Sequence, residues 1–243
     1  MRVAIMQPTY MPWCGYFALM DQSDKFVLLD NVALSKPSWQ HRNRIKTARG
    51  ELWLSVPVLS KGRQGQLISE AEIDVSRDVL SAHCKSIEHA YGKAPFFRAY
   101  AQPLFNLLAA SHRRLIDLNL DLLMWLRGAL GIDTPLLCAS SIALEKEDVD
   151  SCNTDARVER VARICQNTGA TEFLCPPGAF DYIDKGREAF DRRGISISCH
   201  CYHHPVYDQS HGTFVPYLSV IDLIFAHGPD SLDIIRQGYR EKL

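Results

Sequence analysis

The sequence lacks a strong charge of either sign and long hydrophobic runs. Its 27 basic and 28 acidic residues leave a formal net charge of -1, so charge gives no support for a DNA partner. It contains no run of about 18 apolar residues, which predicts no membrane span. The apolar run at the N-terminus ends at Gln7-Pro8 and is too short for a signal peptide. We therefore expect a cytoplasmic protein with neither a DNA nor a membrane partner.

Several familiar motifs are also missing. The sequence has no GxSxG, no phosphate-binding GxxxxGK[ST] loop, no GxGxxG and no HExxH. The usual hydrolase, kinase and dinucleotide-binding interpretations therefore lack their main support. The eight cysteines include no CxxC pair, and in a reducing compartment we expect mostly small buried thiols.

What the sequence does contain is an ordinary globular composition, with 47% hydrophobic and 23% charged residues over 243 positions. Strand-like segments are 2–6, 25–30, 134–139, 172–174 and 194–202, with an edge strand at 52–58 and an extended piece at 67–75. Helical segments are 14–22, 155–168, 179–184 and 220–225, with a last helix after Pro229. Two or three further helices fill a block at about 78–130. This order predicts one α/β domain over 1–243, with a mostly parallel, Rossmann-like sheet and an all-helical insertion.

The first segment that can carry chemistry, residues 7–17, joins the first strand to the first helix. In an open parallel sheet, ligands bind outside the carboxyl ends of the strands, where a helix N-terminus also offers free N–H groups. The segment is rich in aromatic rings, which either stack on a base or sugar face or simply cover the end of the sheet. Its candidate binding residues are Gln7, Tyr10, Trp13 and Tyr16.

The second segment, residues 30–45, follows the second strand and so belongs to the same edge of a parallel sheet. Arginine suits bidentate binding of phosphate or carboxylate, although a charge run is often only a solvated loop. We favour a binding loop, because a tryptophan stands among the charges. The candidates are Asp30 and Lys36 for catalysis, and Trp39, Arg42, Asn43 and Arg44 for binding substrate.

The third segment combines cysteine and histidine at short spacing, which raises the question of zinc. The potential ligands are Cys199, Cys201, His203, His204 and His211. Strand alternation places Cys199 and Cys201 on one face and His200 on the other, and the familiar paired spacings are not both present. We therefore favour the interpretation without a metal.

Two other places supply candidates. Tyr207 and Gln209 are polar groups in position to close a pocket. His83, near the start of the helical block, is the candidate general base, although a lone histidine on a helix is usually a packed or surface residue.

The segments 4–8, 12–17, 38–39, 42–45, 53–58, 91–97, 207–209 and 214–216, together with Tyr10, His83, Ser219, Asp222 and Gly228, resemble the WbqC-like protein family over nearly the whole chain. The resemblance implies a role in O-antigen or related surface-polysaccharide synthesis, where the family has been linked to adding a glycyl or similar acyl group to an amino sugar.

The stretch 12–16 is also similar to a worn version of the HIGH signature of nucleotidyltransferases and related adenylating ligases. That resemblance implies a site for ATP with Mg²⁺ where the first strand meets the first helix. Trp13 and Tyr16 stand where those enzymes have histidines. Because Trp and Tyr stabilise phosphate charge poorly, the usual adenylation mechanism is in doubt, and Arg42 and Arg44 would have to supply that charge.

Three hypotheses follow. The first is an enzyme that transfers an acyl or aminoacyl group to an amine on a nucleotide-linked sugar, with a carrier protein or an aminoacyl-tRNA among the open donors. The second is an ATP-dependent ligase that first makes an acyl-adenylate. The third is a sugar-nucleotide-binding protein without catalysis.

Overall fold

The computed structural model describes residues 1–35, 38–142 and 154–239. Its main sheet consists of β1 (Arg2–Met6), β2 (Lys25–Leu28), β5 (Leu136–Cys138), β6 (Glu172–Cys175) and β7 (Ser196–Cys199). A separate hairpin pairs β3 (Arg42–Thr47) with β4 (Gly50–Ser55). The helices are α1 (Cys14–Asp21), α2 (Val79–Tyr91), α3 (Phe97–Ala109), α4 (Leu115–Leu130), α5 (Thr154–Asn167), α6 (Pro177–Lys185), α7 (Glu188–Asp191), α8 (Ile221–His227) and α9 (Ser231–Arg236).

The five strands of the main sheet are all parallel and lie in the order β5-β2-β1-β6-β7. The chain starts in the centre, moves outward through β2 to β5, and then crosses to the opposite side for β6 and β7. This is the doubly wound α/β arrangement, so the predicted Rossmann-like class is confirmed.

Alternate residues of the strands face two different cores. In β1 and β2, Ala4 and Phe26 pack on the side of α1 to α4, α8 and α9. Val3, Ile5 and Val27 pack on the side of α5 to α7. This period of two explains the near-continuous apolar strands, since both faces of the sheet are covered.

The helical block predicted at 78–130 is present as the three helices α2, α3 and α4. They contribute Ile87, Leu104 and Leu122 to the same core as Phe225 of α8. The last of the three ends at Leu130 and is capped by Gly131, whose φ of 73° is a left-handed conformation that glycine adopts without steric cost.

Three local predictions were wrong. The basic segment expected as a loop contains β3, where Asn43 and Ile45 are buried while Arg42 and Arg44 alternate toward the outside. The extended piece at 67–75 forms a short 3-10 turn at 68–70 with isolated bridges. The strand expected at 194–202 is β7 and ends at Cys199, so the face assignment for Cys201 does not apply.

No helix among residues 1–35, 38–142 and 154–239 is long and apolar enough to cross a membrane. Seven cysteines in this part of the chain are free thiols, and three of them, Cys14, Cys165 and Cys175, are buried. Burial raises the pKa of the Cys175 thiol to about 12, so this thiol stays protonated at neutral pH.

Candidate functional site

The carboxyl ends of the strands meet along one edge of the sheet. Met6 pairs with Leu28, and Leu28 pairs with Cys138, while Cys175 pairs with Cys199 on the other side. The direction in which the chain adds strands reverses between β1 and β6. Ligands of doubly wound proteins bind outside the strands at this switch point, so the segment after β1 is the first place to search for a site.

Gln7, the first residue after β1, connects this edge to the segment before β3. Its Oε1 accepts a hydrogen bond of 2.5 Å from Nε2 of Gln40, and Oε1 of Gln40 accepts one from the Ser38 hydroxyl. The backbone carbonyl of Gln7 accepts from the hydroxyl of Tyr16 at 3.2 Å. The two predicted segments are therefore brought together through the contact of Gln7 in the first with Gln40 in the second.

Tyr10 and Tyr16 lie inside the protein and not on its surface. Both are at most 1% exposed, and the Tyr10 hydroxyl is hydrogen-bonded to Nδ1 of His83 at 2.9 Å. Burial lowers the pKa of His83 to about 4 against a smaller opposing effect of a hydrogen bond to the backbone of Ser55. His83 is thus a neutral, enclosed imidazole with hydrogen-bond partners in the protein.

Asn43 holds the backbone of the first segment. Its Nδ2 donates to the carbonyls of Tyr10 at 3.2 Å and Met11 at 2.7 Å. Met11 has a φ of 43°, in the left-handed region that non-glycine residues seldom adopt. Such a conformation costs about 1–3 kcal/mol and persists only where the surroundings fix it, which the Asn43 amide does here.

A surface of two tryptophans and two arginines lies on the hairpin and just before it; we call it the tryptophan–arginine patch, comprising Trp39, Arg42, Arg44 and Trp53. Trp39 and Trp53 are 48% and 43% exposed, and their ring centroids are 5.4 Å apart. The guanidinium of Arg42 lies 4.5 Å from the centroid of Trp53, and that of Arg44 lies 5.7 Å and 5.6 Å from the two rings. The amide of Tyr10 donates to the Trp39 carbonyl at 3.0 Å, so the patch adjoins the segment after β1.

A second group of rings, which we call the aromatic cluster, comprises Trp13, Tyr202, His204, Phe214 and Tyr217. Trp13 is stacked on His204 with centroids 5.9 Å apart and contacts Tyr217 edge-on at 5.2 Å. The Trp13 ring also covers Gly15, where a Cβ would lie 2.1 Å from that ring. Arg44 donates to the Tyr217 carbonyl at 3.4 Å and so connects this cluster to the tryptophan–arginine patch.

A third set of side chains, the polar core cluster, comprises the buried Lys46, Tyr91, Tyr207 and Asp222 together with the half-buried Gln209. Lys46 donates to Oε1 of Gln209 and to the carbonyls of Gly212 and Thr213, at 3.1, 3.2 and 2.6 Å. Asp222 accepts from the hydroxyls of Tyr91 and Tyr207 at 2.9 and 3.0 Å. Burial raises the pKa of Asp222, with these hydrogen bonds opposing the rise. Tyr207 and Gln209, predicted to bind substrate, are thus anchors of the 207–215 segment.

The two remaining catalytic candidates of the second segment have different outcomes. Asp30 is 2% exposed and accepts hydrogen bonds from the backbone amide and the hydroxyl of Ser140, at 2.8 and 2.5 Å. It therefore ties the end of β2 to the segment after β5. Lys36 lies outside the residues that the structure describes.

The cysteine and histidine residues considered for zinc are dispersed. His211 bonds the Ala90 carbonyl through Nε2 at 2.7 Å, His203 is exposed, and His204 belongs to the aromatic cluster. Within residues 1–35, 38–142 and 154–239, no three His, Cys, Asp or Glu side chains are grouped so as to hold a metal ion.

The sequence did not predict that Trp53 belongs to the tryptophan–arginine patch. It also did not predict that Phe214 and Tyr217 belong to the aromatic cluster. Trp53 was assigned only to an edge strand, although its alternation with buried Leu54 already places it on the outer face of that strand. Tyr217 meets Trp13 only through long-range folding, and Phe214 joins the cluster through His204.

Fold and site together define a doubly wound α/β protein with an aromatic and cationic surface beside its strand switch point. The chain belongs to the WbqC-like protein family, whose model matches residues 7–234. It is similar to Uncharacterized protein Rv1507c of Mycobacterium tuberculosis, with 36% identity over 237 residues that cover 97% of each chain. No solved structure matches the chain.

Proposed function

We propose that this protein is an enzyme that transfers an acyl or aminoacyl group, such as glycyl, to the amine of a nucleotide-linked amino sugar. The observation that carries the proposal is the tryptophan–arginine patch beside the switch point. Membership of the WbqC-like family supports the same direction, because the resemblance to that family implies amino-sugar acylation in surface-polysaccharide synthesis. The cytoplasm, where nucleotide-linked sugars are made, is the location that the proposal needs.

In this proposal the patch binds the nucleotide part of the acceptor. The exposed faces of Trp39 and Trp53 offer stacking surfaces for a base, and stacking contributes about 1–3 kcal/mol per base. Arg42 and Arg44 supply planar donors that match phosphate oxygens. A guanidinium nitrogen of Arg44 lies 2.6 Å from a carboxylate oxygen of Glu51. Arg42 is therefore the cation that is more available to a diphosphate.

The first test is a fluorescence titration with a UDP-linked amino sugar that carries a free amine. We expect quenching by the ligand, because two of the four tryptophans are exposed in the patch. Trp53→Ala should weaken binding about tenfold to a hundredfold, and Arg42→Gln should weaken it and reduce its dependence on salt. Arg49→Gln is the matched control, since this exposed residue lies in the turn of the same hairpin and carries the same charge. Equal binding by all variants would contradict the assignment of the patch.

Transfer itself is tested by mass spectrometry of the UDP-linked amino sugar, incubated with the protein and one donor at a time. The donors are acetyl-CoA, glycyl-tRNA, a glycyl-loaded carrier protein, and glycine with ATP and Mg²⁺. A product heavier by one acyl group supports the transferase. Binding without any product would instead favour the sugar-nucleotide-binding protein.

The second candidate function is an ATP-dependent, adenylate-forming ligase. The strand order favours it, as does the position of α1 as the next element after the central strand, because adenylating ligases of the HIGH type bind ATP between these two elements. The first-segment residues weigh against it. Tyr16 is buried with its hydroxyl on the Gln7 carbonyl, and the Trp13 ring lies over Gly15. Exchange of labelled pyrophosphate into ATP, dependent on glycine and Mg²⁺, would establish this ligase, whereas transfer from a preformed donor without exchange would exclude it.

A further inference from the structure

We propose that His204 is the group that takes the proton from the acceptor amine during acyl transfer, an inference that rests on the proposed function. The case begins with the two ring nitrogens of His204. Nδ1 lies 2.8 Å from the backbone carbonyl of Pro205, which can only accept a hydrogen bond. Nδ1 therefore carries the hydrogen, and the lone pair of the neutral ring is on Nε2.

That lone pair has no partner within the part of the chain that the structure describes. Nε2 of His204 is a buried atom without a hydrogen-bond partner. Leaving such an acceptor unsatisfied costs about 1–3 kcal/mol, so an enclosed acceptor among aromatic rings marks a place where a donor is expected to bind. A histidine with its tautomer fixed by a backbone carbonyl and its other nitrogen free has the arrangement of a general base.

The position of His204 fits the proposed acceptor. Its ring lies 5.3 Å from Tyr217, and the Tyr217 carbonyl accepts a hydrogen bond from Arg44 of the tryptophan–arginine patch. Tyr217 is 51% exposed and also contacts Trp13, so its ring forms the outer wall over the imidazole. A sugar whose phosphate lies on the patch can thus direct its amine past Tyr217 toward Nε2. Tyr217 has a φ of 61°, a strained conformation of the kind that concentrates at ligand sites.

Two other histidines are weaker candidates. His83 is occupied by Tyr10 and the backbone of Ser55. His200 also has a buried Nε2 without a partner, but its ring is stacked on Tyr202, whereas His204 contacts Tyr217, the residue whose carbonyl bonds Arg44.

The surroundings keep His204 neutral. Burial lowers its pKa, and the hydrogen bond to Pro205 opposes this less strongly. The titratable groups packed against it are Tyr207, whose hydroxyl donates to Asp222, and Tyr217. The ring is therefore in its proton-accepting form at neutral pH.

The step balances as follows. The lone pair of the neutral amine forms a bond to the carbonyl carbon of an activated acyl ester or thioester, and the carbonyl π electrons move to oxygen. The N–H proton moves to Nε2 of His204. When the carbonyl re-forms, the C–O or C–S bond breaks, the leaving oxygen or sulfur departs with the bonding pair, and His204 returns the proton to it.

The test compares His204→Asn with His203→Asn, in the transfer assay with the UDP-linked amino sugar. Asparagine places its Nδ2 where Nδ1 of histidine lies, so it keeps the hydrogen bond to Pro205 but offers no base. We expect turnover by His204→Asn to fall by about 10²–10⁴-fold with unchanged binding of the sugar nucleotide. His203→Asn, at an exposed neighbouring position, should be unaffected. The wild-type kcat/KM should fall on the acid side below the ordinary histidine pKa, and the variant should lack this limb.

A second measurement on the wild-type protein is independent of turnover. Nitrogen-15 NMR of the histidine rings should show His204 as the Nδ1–H tautomer, with its Nε2 resonance shifting when the UDP-linked amino sugar binds. An Nε2–H tautomer, or wild-type turnover and pH profile in His204→Asn, would overturn the base assignment and leave the proposed function standing. Absence of transfer by the wild type with every donor would overturn both.

Discussion

The polar core cluster and the tryptophan–arginine patch both combine cationic and aromatic side chains. They differ in the groups that their cations contact. In the core cluster, the buried Lys46 donates to three protein oxygens, and the buried Asp222 accepts from two tyrosines. In the patch, Arg42 lies over an exposed ring, and Arg44 shares a partly exposed carboxylate. The cation of the core cluster holds the chain together, whereas the two arginines of the patch lie beside exposed rings where a ligand can bind.

The largest effect that separates the two regions is expected from Lys46→Met. The change removes the donor that Gln209, Gly212 and Thr213 share and leaves Asp222 without a nearby cation. We expect the free energy of unfolding to fall by about 2–4 kcal/mol. Urea denaturation at neutral pH measures this, with Lys85→Met at an exposed position of α2 as the control. Equal stability of the two variants would mean that the core cluster does not hold the 207–215 segment.

The same contrast shows how far the sequence alone leads. The strands β1, β2 and β6 were predictable because short β-branched or apolar runs alternate with helical periods, and that order determines a parallel sheet. The hairpin strand β3 was not, because its charges at Arg42, Arg44 and Lys46 conceal the alternation with Asn43 and Ile45. Lys46 lies on the same side of the strand as Arg42 and Arg44, yet it is only 2% exposed. It is buried because the 209–213 segment folds over it.

The site was predictable in place but not in detail. A loop after the first strand of a parallel sheet lies at the ligand edge by topology, which brought Gln7 and Trp13 to notice. Whether a tyrosine in the segment after β1 faces solvent or the core depends on which residues from distant parts of the chain pack against it. Tyr10 is buried because His83 meets its hydroxyl from a helix 73 residues further along the chain. No local pattern encodes such a pair.

An effect of intermediate size on stability is expected when the pH is lowered. It arises from two buried histidines, which lie outside the exposed patch. The pKa of His83 and that of His200 are lowered to about 4, so the unfolded chain binds their protons first as pH falls. Their stabilisation is present above about pH 6.5 and is lost progressively toward pH 4. Between pH 6.5 and 5, each contributes a loss of up to about 2 kcal/mol in the free energy of unfolding.

Urea denaturation at these two pH values, for the wild type and for His83→Gln, measures the contribution of His83. The variant should be less stable at both pH values, because Tyr10 loses its partner, but its stability should fall less steeply with acid. His89→Gln, at an exposed position of the same helix, should keep the wild-type slope. An unchanged slope in His83→Gln would show that His83 is not the neutral, enclosed group described above.

The smallest effect concerns the patch and comes from Glu51→Gln. Removing the carboxylate that contacts Arg44 at 2.6 Å frees this guanidinium for phosphate. An exposed ion pair contributes about 0.2–1 kcal/mol, so we expect the UDP-linked amino sugar to bind up to about fivefold more tightly. The gain should shrink at high salt, and the stability of the fold should hardly change. Glu88→Gln, which removes the same charge from an exposed position of α2, should leave the affinity unaltered. Weaker binding by Glu51→Gln would instead mean that Glu51 orients Arg44 for the ligand. The polar groups of the patch would then depend on one another, as those of the core cluster do.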